Sequence, residues 1–147
     1  MVYSDYMSPE YLMQGVLSFK SDVFSFGVVF LELLSGMKSY SAFPAGKLVE
    51  HAWKMWNKGK ALDLLDKSIE DEFSVDKALR CIQVGLLCVQ DADDRPTMQS
   101  VLDMLEEEGI TLPQPKLPGF WFDTESRLKY DYIDSTNEIN ITELVCR

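Results

Sequence analysis

The chain has 147 residues, 46% of them hydrophobic and 26% charged, which favours one globular domain over a disordered or collagen-like chain. Its net charge of −10 excludes the basic surface that holds a nucleic-acid backbone, so no nucleic-acid partner is expected. With three cysteines and one histidine, a disulfide framework and most zinc sites are excluded, and the odd cysteine count favours reduced thiols in the cytoplasm. Residues 1–11 lack the pattern of a secretory signal, and the most apolar run, residues 23–34, is shorter than the roughly 20 residues of a membrane-spanning helix.

The first predicted helix runs from Asp22 to Ser35, with Ser21 as its N-cap and Gly36 just beyond its end. It is apolar nearly all round, which is typical of a buried central helix rather than of a surface helix. Three further helices, each with one inward apolar stripe, and a shorter turn are predicted after it. They are Lys47–Asn57, a helix after the N-cap Ser74, a helix after the N-cap Thr97, and the turn Ala61–Leu65. No strand pattern occurs among them.

The helical body is predicted to end at residue 108. Gly109 closes the last helix, and Pro113, Pro115 and Pro118 follow shortly after it. Proline lacks a backbone donor and disfavours a helical conformation in the residue before it, so residues 112–119 should run extended over a surface. We therefore divide the chain into a body, residues 1–108, and an extended or partly disordered tail, residues 109–147.

Residues that carry chemistry are scarce. The eight glycines are too far apart for a phosphate-cradling loop, and Gly46-Lys47 is followed by leucine instead of the serine or threonine of a Walker loop. His51 has no diagnostic neighbour and is interpreted as a partly exposed helix residue. The aspartates at 91, 93 and 94 lack the glycine and glutamate of a calcium loop and are interpreted as a solvated turn. We predict no catalytic residue, no cofactor-binding residue and no metal ligand in this chain.

Two pairs of side chains on predicted helices are interpreted first as packing groups. Trp53 and Trp56 lie on the apolar stripe of their helix, and the alternative is that they form a contact surface for another protein. Cys81 and Cys88 are seven residues apart on one predicted helix, which puts their thiols out of disulfide reach. We interpret both cysteines as small core-filling groups.

Three segments, in this order and spacing, resemble the C-terminal half of a protein kinase domain. Ser8-Pro9-Glu10 resembles the Ala-Pro-Glu signature that closes the activation segment, and the segment from Lys20 to Gly27 resembles the start of the central buried helix. Asp94-Arg95-Pro96 resembles the arginine-bearing turn before the last helix. The resemblance implies a mainly α fold: the large helical lobe of a kinase domain (the C-lobe), truncated, with an irregular C-terminal tail.

A narrower group is indicated by three more segments. They are residues 79–90, 112–120 and 137–142, which are similar to plant S-domain (G-type lectin) receptor-like serine/threonine kinases. In such a protein this part of the chain lies on the cytoplasmic side of the plasma membrane, below a single-pass receptor. The expected partners are intact receptor kinases or their signalling partners.

The resemblance implies structural roles for a few charged residues. Glu10 should form a largely buried ion pair with Arg95, which ties the end of the activation segment to the last helix. Asp22, in the first turn of the central helix that also carries the motif glycine Gly27, resembles the carboxylate that accepts backbone donors from the catalytic loop. Because that loop is not encoded here, a first-turn acid that faces solvent is the alternative for Asp22.

The 147 residues do not encode the phosphate-transferring part of a kinase. Kinases use a glycine-rich loop, a phosphate-pairing lysine, a catalytic aspartate in His-Arg-Asp and a magnesium-binding aspartate in Asp-Phe-Gly, and neither of the last two motifs occurs in this sequence. Tyr3 and Asp5 replace a threonine and a glycine of the family's substrate-facing loop. We expect a truncated fragment that is catalytically inactive alone and uses no cofactor, although the intact family uses ATP and magnesium.

Two alternatives stay open. The chain is a non-catalytic module that competes with an intact receptor kinase, with Trp53, Trp56, Tyr130 and Tyr132 as its contact surface, or an upstream reading frame restores an active ATP-dependent kinase. In an intact kinase domain, elements that these 147 residues do not encode cover one side of the central helix. The chain should expose a sizeable apolar patch and be marginally stable or prone to aggregation.

Overall fold

The computed structural model describes residues 6–15, 17–37 and 45–119. These ranges contain five α-helices and two short 3₁₀ turns, and no strand. The helices are α1 (Pro9–Gln14), α2 (Phe19–Ser35), α3 (Ala45–Asn57), α4 (Val75–Cys88) and α5 (Met98–Glu106), and the turns are Ala61–Leu64 and Glu70–Glu72. The predicted mainly α fold is confirmed. None of the helices in the described ranges combines the length and the apolarity needed to cross a lipid bilayer.

The predicted N-caps of the last two long helices are confirmed. The Ser74 hydroxyl accepts a hydrogen bond from the Lys77 amide at 3.3 Å, and the Thr97 hydroxyl accepts one from the Ser100 amide at 3.2 Å. Each cap satisfies one of the amides that the first helical turn leaves without an intrahelical partner.

The predicted start of α2 is wrong by one turn. Its N-cap is Ser18, and Ser21 lies inside the helix at the third position. There the Ser21 hydroxyl accepts a hydrogen bond from the Ser18 amide at 3.2 Å, as in a capping box. The exposed Phe19 and the half-buried Lys20 extend the helix at this end. Helix α3 likewise begins two residues earlier than predicted, at Ala45.

Helix α1 was not predicted, although its start is encoded in the sequence. The Ser8 hydroxyl accepts a hydrogen bond from the Tyr11 amide at 3.3 Å, and Pro9 occupies the first helical position. Proline is favoured there because the amide that it lacks has no partner in the first turn of a helix. The Gly15 cap, with φ of 66°, ends α1 after six residues.

Helix α2 is the centre of the packing, and it crosses α4 at glycine on both helices. A Cβ on Gly27 would lie 2.5 Å from Cys88 Cβ, and one on Gly85 would lie 2.8 Å from Leu31 Cδ2. The absence of both side chains therefore lets the two backbones approach closely. Two buried clusters flank the crossing, one around Phe24 and α3, the other around Val23 and α5.

The segment from residue 111 to residue 119, here called the strap, runs extended along the α4–α5 side of the body, as the prolines predict. The Gly119 amide donates to the Val89 carbonyl at 3.1 Å, and Pro118 forms an isolated antiparallel bridge with Gln90. Pro115 and Pro118 are buried. The strap is thus part of the packed structure. The rest of the predicted tail, residues 120–147, lies outside the described residues.

Candidate functional site

The ion pair predicted between Glu10 and Arg95 is present, and it joins α1 to the turn before α5. The Arg95 guanidinium donates to both carboxylate oxygens, from Nη1 to Oε1 at 2.6 Å and from Nη2 to Oε2 at 3.1 Å. The Arg95 side chain is 0% exposed and that of Glu10 is 16% exposed. Such a two-pronged geometry fixes the direction of the contact as well as its distance.

Two further donors of Arg95 are paired, in keeping with the need to satisfy a buried charge. Its Nε donates to the Gln90 carbonyl at 2.8 Å, and Nη1 donates to the Lys20 carbonyl at 2.8 Å. The guanidinium lies over the Phe24 ring, 5.0 Å from its centroid, and Lys20 Nζ donates in turn to the Arg95 carbonyl. Arg95 therefore connects α1, the first turn of α2 and the end of α4.

The environment of Glu10 shifts its titration. Burial raises the pKa of the carboxyl, but the hydrogen bonds and the positive charge of Arg95 outweigh burial and hold the pKa below its usual value of 4.5. The Ser21 hydroxyl adds a hydrogen bond to Glu10 Oε1 at 3.3 Å. The charged form of Glu10 is thus the form that the fold stabilises.

Asp22 and Gly27 lie on opposite sides of α2. Asp22 is exposed in the first turn of the helix, in agreement with the solvent-facing alternative for this residue. Gly27 is buried at the crossing with α4, so its role in this chain is close packing. Neither residue is near a group that handles phosphate in the described part of the chain.

The proposed contact surface at Trp53 and Trp56 is not supported by their placement. Trp53 is 8% exposed and belongs to the main core, and Trp56 is half-buried against the same core. The amphipathic stripe of α3 faces inward, which explains why the packing interpretation holds and the surface interpretation fails for Trp53. Trp53 Nε1 is buried without a hydrogen-bond partner in the described ranges. Tyr130 and Tyr132 lie outside the described residues.

An exposed apolar surface is found instead on α2. Its residues are spaced three, four and seven apart and therefore share one side of the helix. This surface, here called the outward stripe, consists of Phe19 (92% exposed), Val29 (41%), Leu33 (69%) and the half-buried, stacked Phe26 and Phe30. The expected apolar patch is thus present on the central helix.

The chain enters the fold beside the outward stripe. The Ser25 hydroxyl donates to the Tyr6 carbonyl at 2.6 Å, and the Tyr6 hydroxyl donates to the Glu32 carboxylate at 3.0 Å. Ser25 and Glu32 follow one flank of the stripe along α2. Tyr6 therefore lies at the edge of this apolar surface.

Burial lowers the reactivity of the two cysteines in the described part of the chain, because it disfavours the thiolate. Burial raises the pKa of the Cys88 thiol to about 12, despite the nearby charge of Arg95, and burial also raises the pKa of Cys81. Both cysteines are free; Cys88 fills the core as interpreted, whereas Cys81 is half-buried and packs against the core from its edge. His51 is half-exposed on α3. No group of three or more potential ligands with metal-binding geometry occurs in the ranges that the structure covers.

The fold and the Glu10–Arg95 junction define the helical lobe of a protein-kinase-like domain, and the comparisons agree. A solved structure titled as the pseudokinase domain of BIR2, an immune regulator of the RLK/Pelle family, superposes with a TM-score of 0.54 at 27% identity, over 73% of this chain and 34% of that one. A family model described as protein tyrosine and serine/threonine kinase matches residues 2–105. The chain therefore belongs to the protein tyrosine and serine/threonine kinase family.

The similar curated proteins are receptor-like kinases of Arabidopsis thaliana. Cysteine-rich receptor-like protein kinase 19 is 44% identical over 94% of this chain, and receptor-like serine/threonine-protein kinase SD1-8 is 41% identical over 97% of it. The chain spans only 22% and 18% of the lengths of these two relatives. It is thus similar to a part of a plant receptor-like kinase.

One buried polar residue of the junction was not singled out from the sequence. Gln90 is 2% exposed, and its carbonyl accepts a hydrogen bond from Arg95. A single glutamine after an apolar helix gives no periodic signal, because its role depends on the strap, which is more than twenty residues away in sequence. The Ser8-Pro9 pair, by contrast, carried a usable signal for α1.

Proposed function

We propose that the chain is a catalytically inactive piece of a plant receptor-like serine/threonine kinase domain. The observation that carries the proposal is the missing chemistry: neither the His-Arg-Asp nor the Asp-Phe-Gly motif occurs in the 147 residues. Phosphoryl transfer depends on positioning and on neutralising the phosphate charge, and those two motifs supply the catalytic base and the magnesium ligand. The chain alone is expected to need no cofactor, whereas intact kinases use ATP and magnesium.

A transfer assay and a binding assay test the proposal together. Purified chain is incubated with labelled ATP, magnesium and a generic protein substrate, and magnesium-ATP is titrated into the chain in a calorimeter. We expect neither transfer nor saturable binding. The kinase domain of a complete receptor-like kinase serves as the positive control.

A matched variant separates intrinsic activity from contamination. The Glu10→Ala chain is purified in the same way, and activity from a contaminating kinase persists in both preparations. Activity that is present in the unaltered chain and lost in Glu10→Ala would contradict the proposal, because it would depend on the fold of this chain. Sequencing the genomic region upstream of Met1 for the two missing motifs tests the alternative that a longer reading frame encodes an active kinase.

The subgroup and the location are part of the same proposal. The alignments with SD1-8 and SD1-7 extend over 97% of the chain and so reach far into the region after residue 108, on which the S-domain resemblance partly rests. We assign the parent protein to that subgroup and this part of it to the cytoplasmic face of the plasma membrane. Expression of the upstream exons, with a lectin-type domain among them, would be the expected finding.

A second candidate function is a non-catalytic module that binds an intact receptor kinase, and the outward stripe favours it. Because Trp53 is buried, the stripe replaces the tryptophans as the candidate contact surface. The test is a pull-down of the purified kinase domain of a receptor-like kinase with the chain and with a Val29→Ser, Leu33→Ser double variant. A Val75→Ser, Leu102→Ser variant is the control, since those residues are 59% and 45% exposed on other helices. Equal capture by both variants would count against this function.

A further inference from the structure

The strap is fastened to the body by polar contacts as well as by its buried prolines. Gln83 Nε2 donates to the Pro113 carbonyl at 2.8 Å, near the start of the strap. The Lys116 amide donates to Gln90 Oε1 in the middle, and the Lys116 ammonium pairs with Asp94 at 2.6 Å on the surface. These contacts hold the strap at fixed positions along α4 and the turn that follows it.

Gln90 joins the strap to the arginine of the ion pair. Its side-chain amide donates to the Leu87 carbonyl at 3.1 Å and to the Asp94 carbonyl at 2.9 Å, while its Oε1 accepts from the strap. The main-chain carbonyl of the same residue accepts from Arg95 Nε. Both the amide nitrogen and the oxygen of this buried side chain are hydrogen-bonded. Loss of the strap contact would therefore leave Gln90 Oε1 buried without a partner, which is unfavourable.

The end of the strap reaches the first residue of α1. A Cβ on Gly119 would lie 3.0 Å from Pro9 Cγ, and Pro9 is buried next to Glu10. The strap therefore contacts one neighbour of each partner in the ion pair. These neighbours are Gln90, whose carbonyl accepts from Arg95, and Pro9, which precedes Glu10 in α1.

We propose that the strap is a latch on α1: its docking on Gln90 holds Arg95 and Pro9 in place, so that release of the strap loosens the end of the activation segment. This conformational coupling goes beyond the proposed function and does not depend on catalysis. By reciprocity, weakening the Glu10–Arg95 pair must also loosen the strap.

Amide hydrogen exchange of the full chain, followed by mass spectrometry, tests the latch. The Lys116→Pro variant removes the amide that donates to Gln90 and changes nothing in the helices. We expect exchange about tenfold faster in the strap and measurably faster at the hydrogen-bonded Leu12 and Gly15 amides of α1, with α3 unchanged. The Glu10→Gln variant should give the reciprocal result, with faster exchange in the strap.

Two controls isolate the amide of residue 116. Gln114→Pro places the same ring on the strap at an exposed residue whose side chain makes no hydrogen bond or ion pair in the described ranges. Lys116→Ala removes the ammonium and keeps the amide. Both should exchange like the unaltered chain at α1. If circular dichroism shows that Lys116→Pro does not fold, the same exchange measurement is made on Gln83→Leu, which releases the other end of the strap. A faster strap with unchanged α1 exchange, or an unchanged strap, overturns the proposal.

Discussion

Both sides of α2 are apolar, but one side is buried in the core and the other is exposed. The inward side packs against α3, α4 and α5, with Phe24, Val28 and Leu31 fully buried. The outward stripe, which includes Val29 and Leu33, faces solvent. A helix that is apolar all round is typical of one that is buried on every side. The difference therefore shows that α2 has the sequence of a helix enclosed on both sides, while the described residues enclose only one.

The largest effect on the free energy of unfolding is expected at the Glu10–Arg95 ion pair, which lies at the N-terminal end of α2 on its inward side. Glu10→Ala leaves the fully buried Arg95 charge without its partner and should lower the free energy of unfolding by about 3–5 kcal/mol. Urea denaturation followed by circular dichroism measures the change. Asp22→Ala removes an exposed acid from the same region and should change the free energy by less than about 0.5 kcal/mol. Equal losses in the two variants would contradict the assigned junction.

The same helix offers a direct comparison of its two sides. Leu31→Ala removes a fully buried side chain that packs against Gly85, and we expect a loss of about 2–5 kcal/mol. Leu33→Ala removes a side chain that is 69% exposed and should cost less than about 0.5 kcal/mol. If Leu33→Ala proved as costly as Leu31→Ala in urea denaturation, the outward side would be covered in solution and the comparison would fail.

The helix crossing gives the next largest effect. Gly27→Ala places a methyl group 2.5 Å from Cys88 Cβ, so α2 and α4 must separate, and we expect a loss of about 1–3 kcal/mol. Gly109→Ala is the control, because a Cβ there meets nothing within 4 Å. Thermal unfolding of the two variants in parallel measures the difference. A Gly27→Ala chain as stable as the unaltered one would show that the crossing is not close-packed.

Local sequence signals predicted four of the five described helices, and they also mark the start of α1 at Ser8-Pro9, which was missed. The caps Ser74 and Thr97 act within three residues and were predicted correctly. The start of α2 was misplaced because Ser18 and Ser21 are equally good caps, and only the packing of the first turn decides between them. The ion pair was predicted from the family resemblance, since no spacing rule connects residues 10 and 95. Gln90 was missed because its role depends on Lys116 of the strap, which is far away in sequence.

A smaller effect is expected when the charge of Glu10 is titrated. Its pKa is lowered in the folded chain, so the pair contributes fully to stability above the ordinary value of 4.5, and the contribution is lost as the pH falls through the lower folded value. The free energy of unfolding of the unaltered chain should therefore fall more steeply below pH 4.5 than that of Glu10→Gln. Urea denaturation at a series of pH values checks this, and parallel curves would contradict it.

The smallest effect on folding free energy belongs to the outward stripe, where the consequence is instead intermolecular. The Val29→Ser, Leu33→Ser variant should unfold within about 0.5 kcal/mol of the unaltered chain, because neither residue is buried. It should nevertheless scatter less light at high concentration, since an exposed apolar stripe is a surface on which chains associate. The Val75→Ser, Leu102→Ser variant removes as many exposed apolar groups from α4 and α5 and should scatter like the unaltered chain. If both variants reduce scattering equally, association follows total exposed apolar area, and the outward side of α2 has no special role in it.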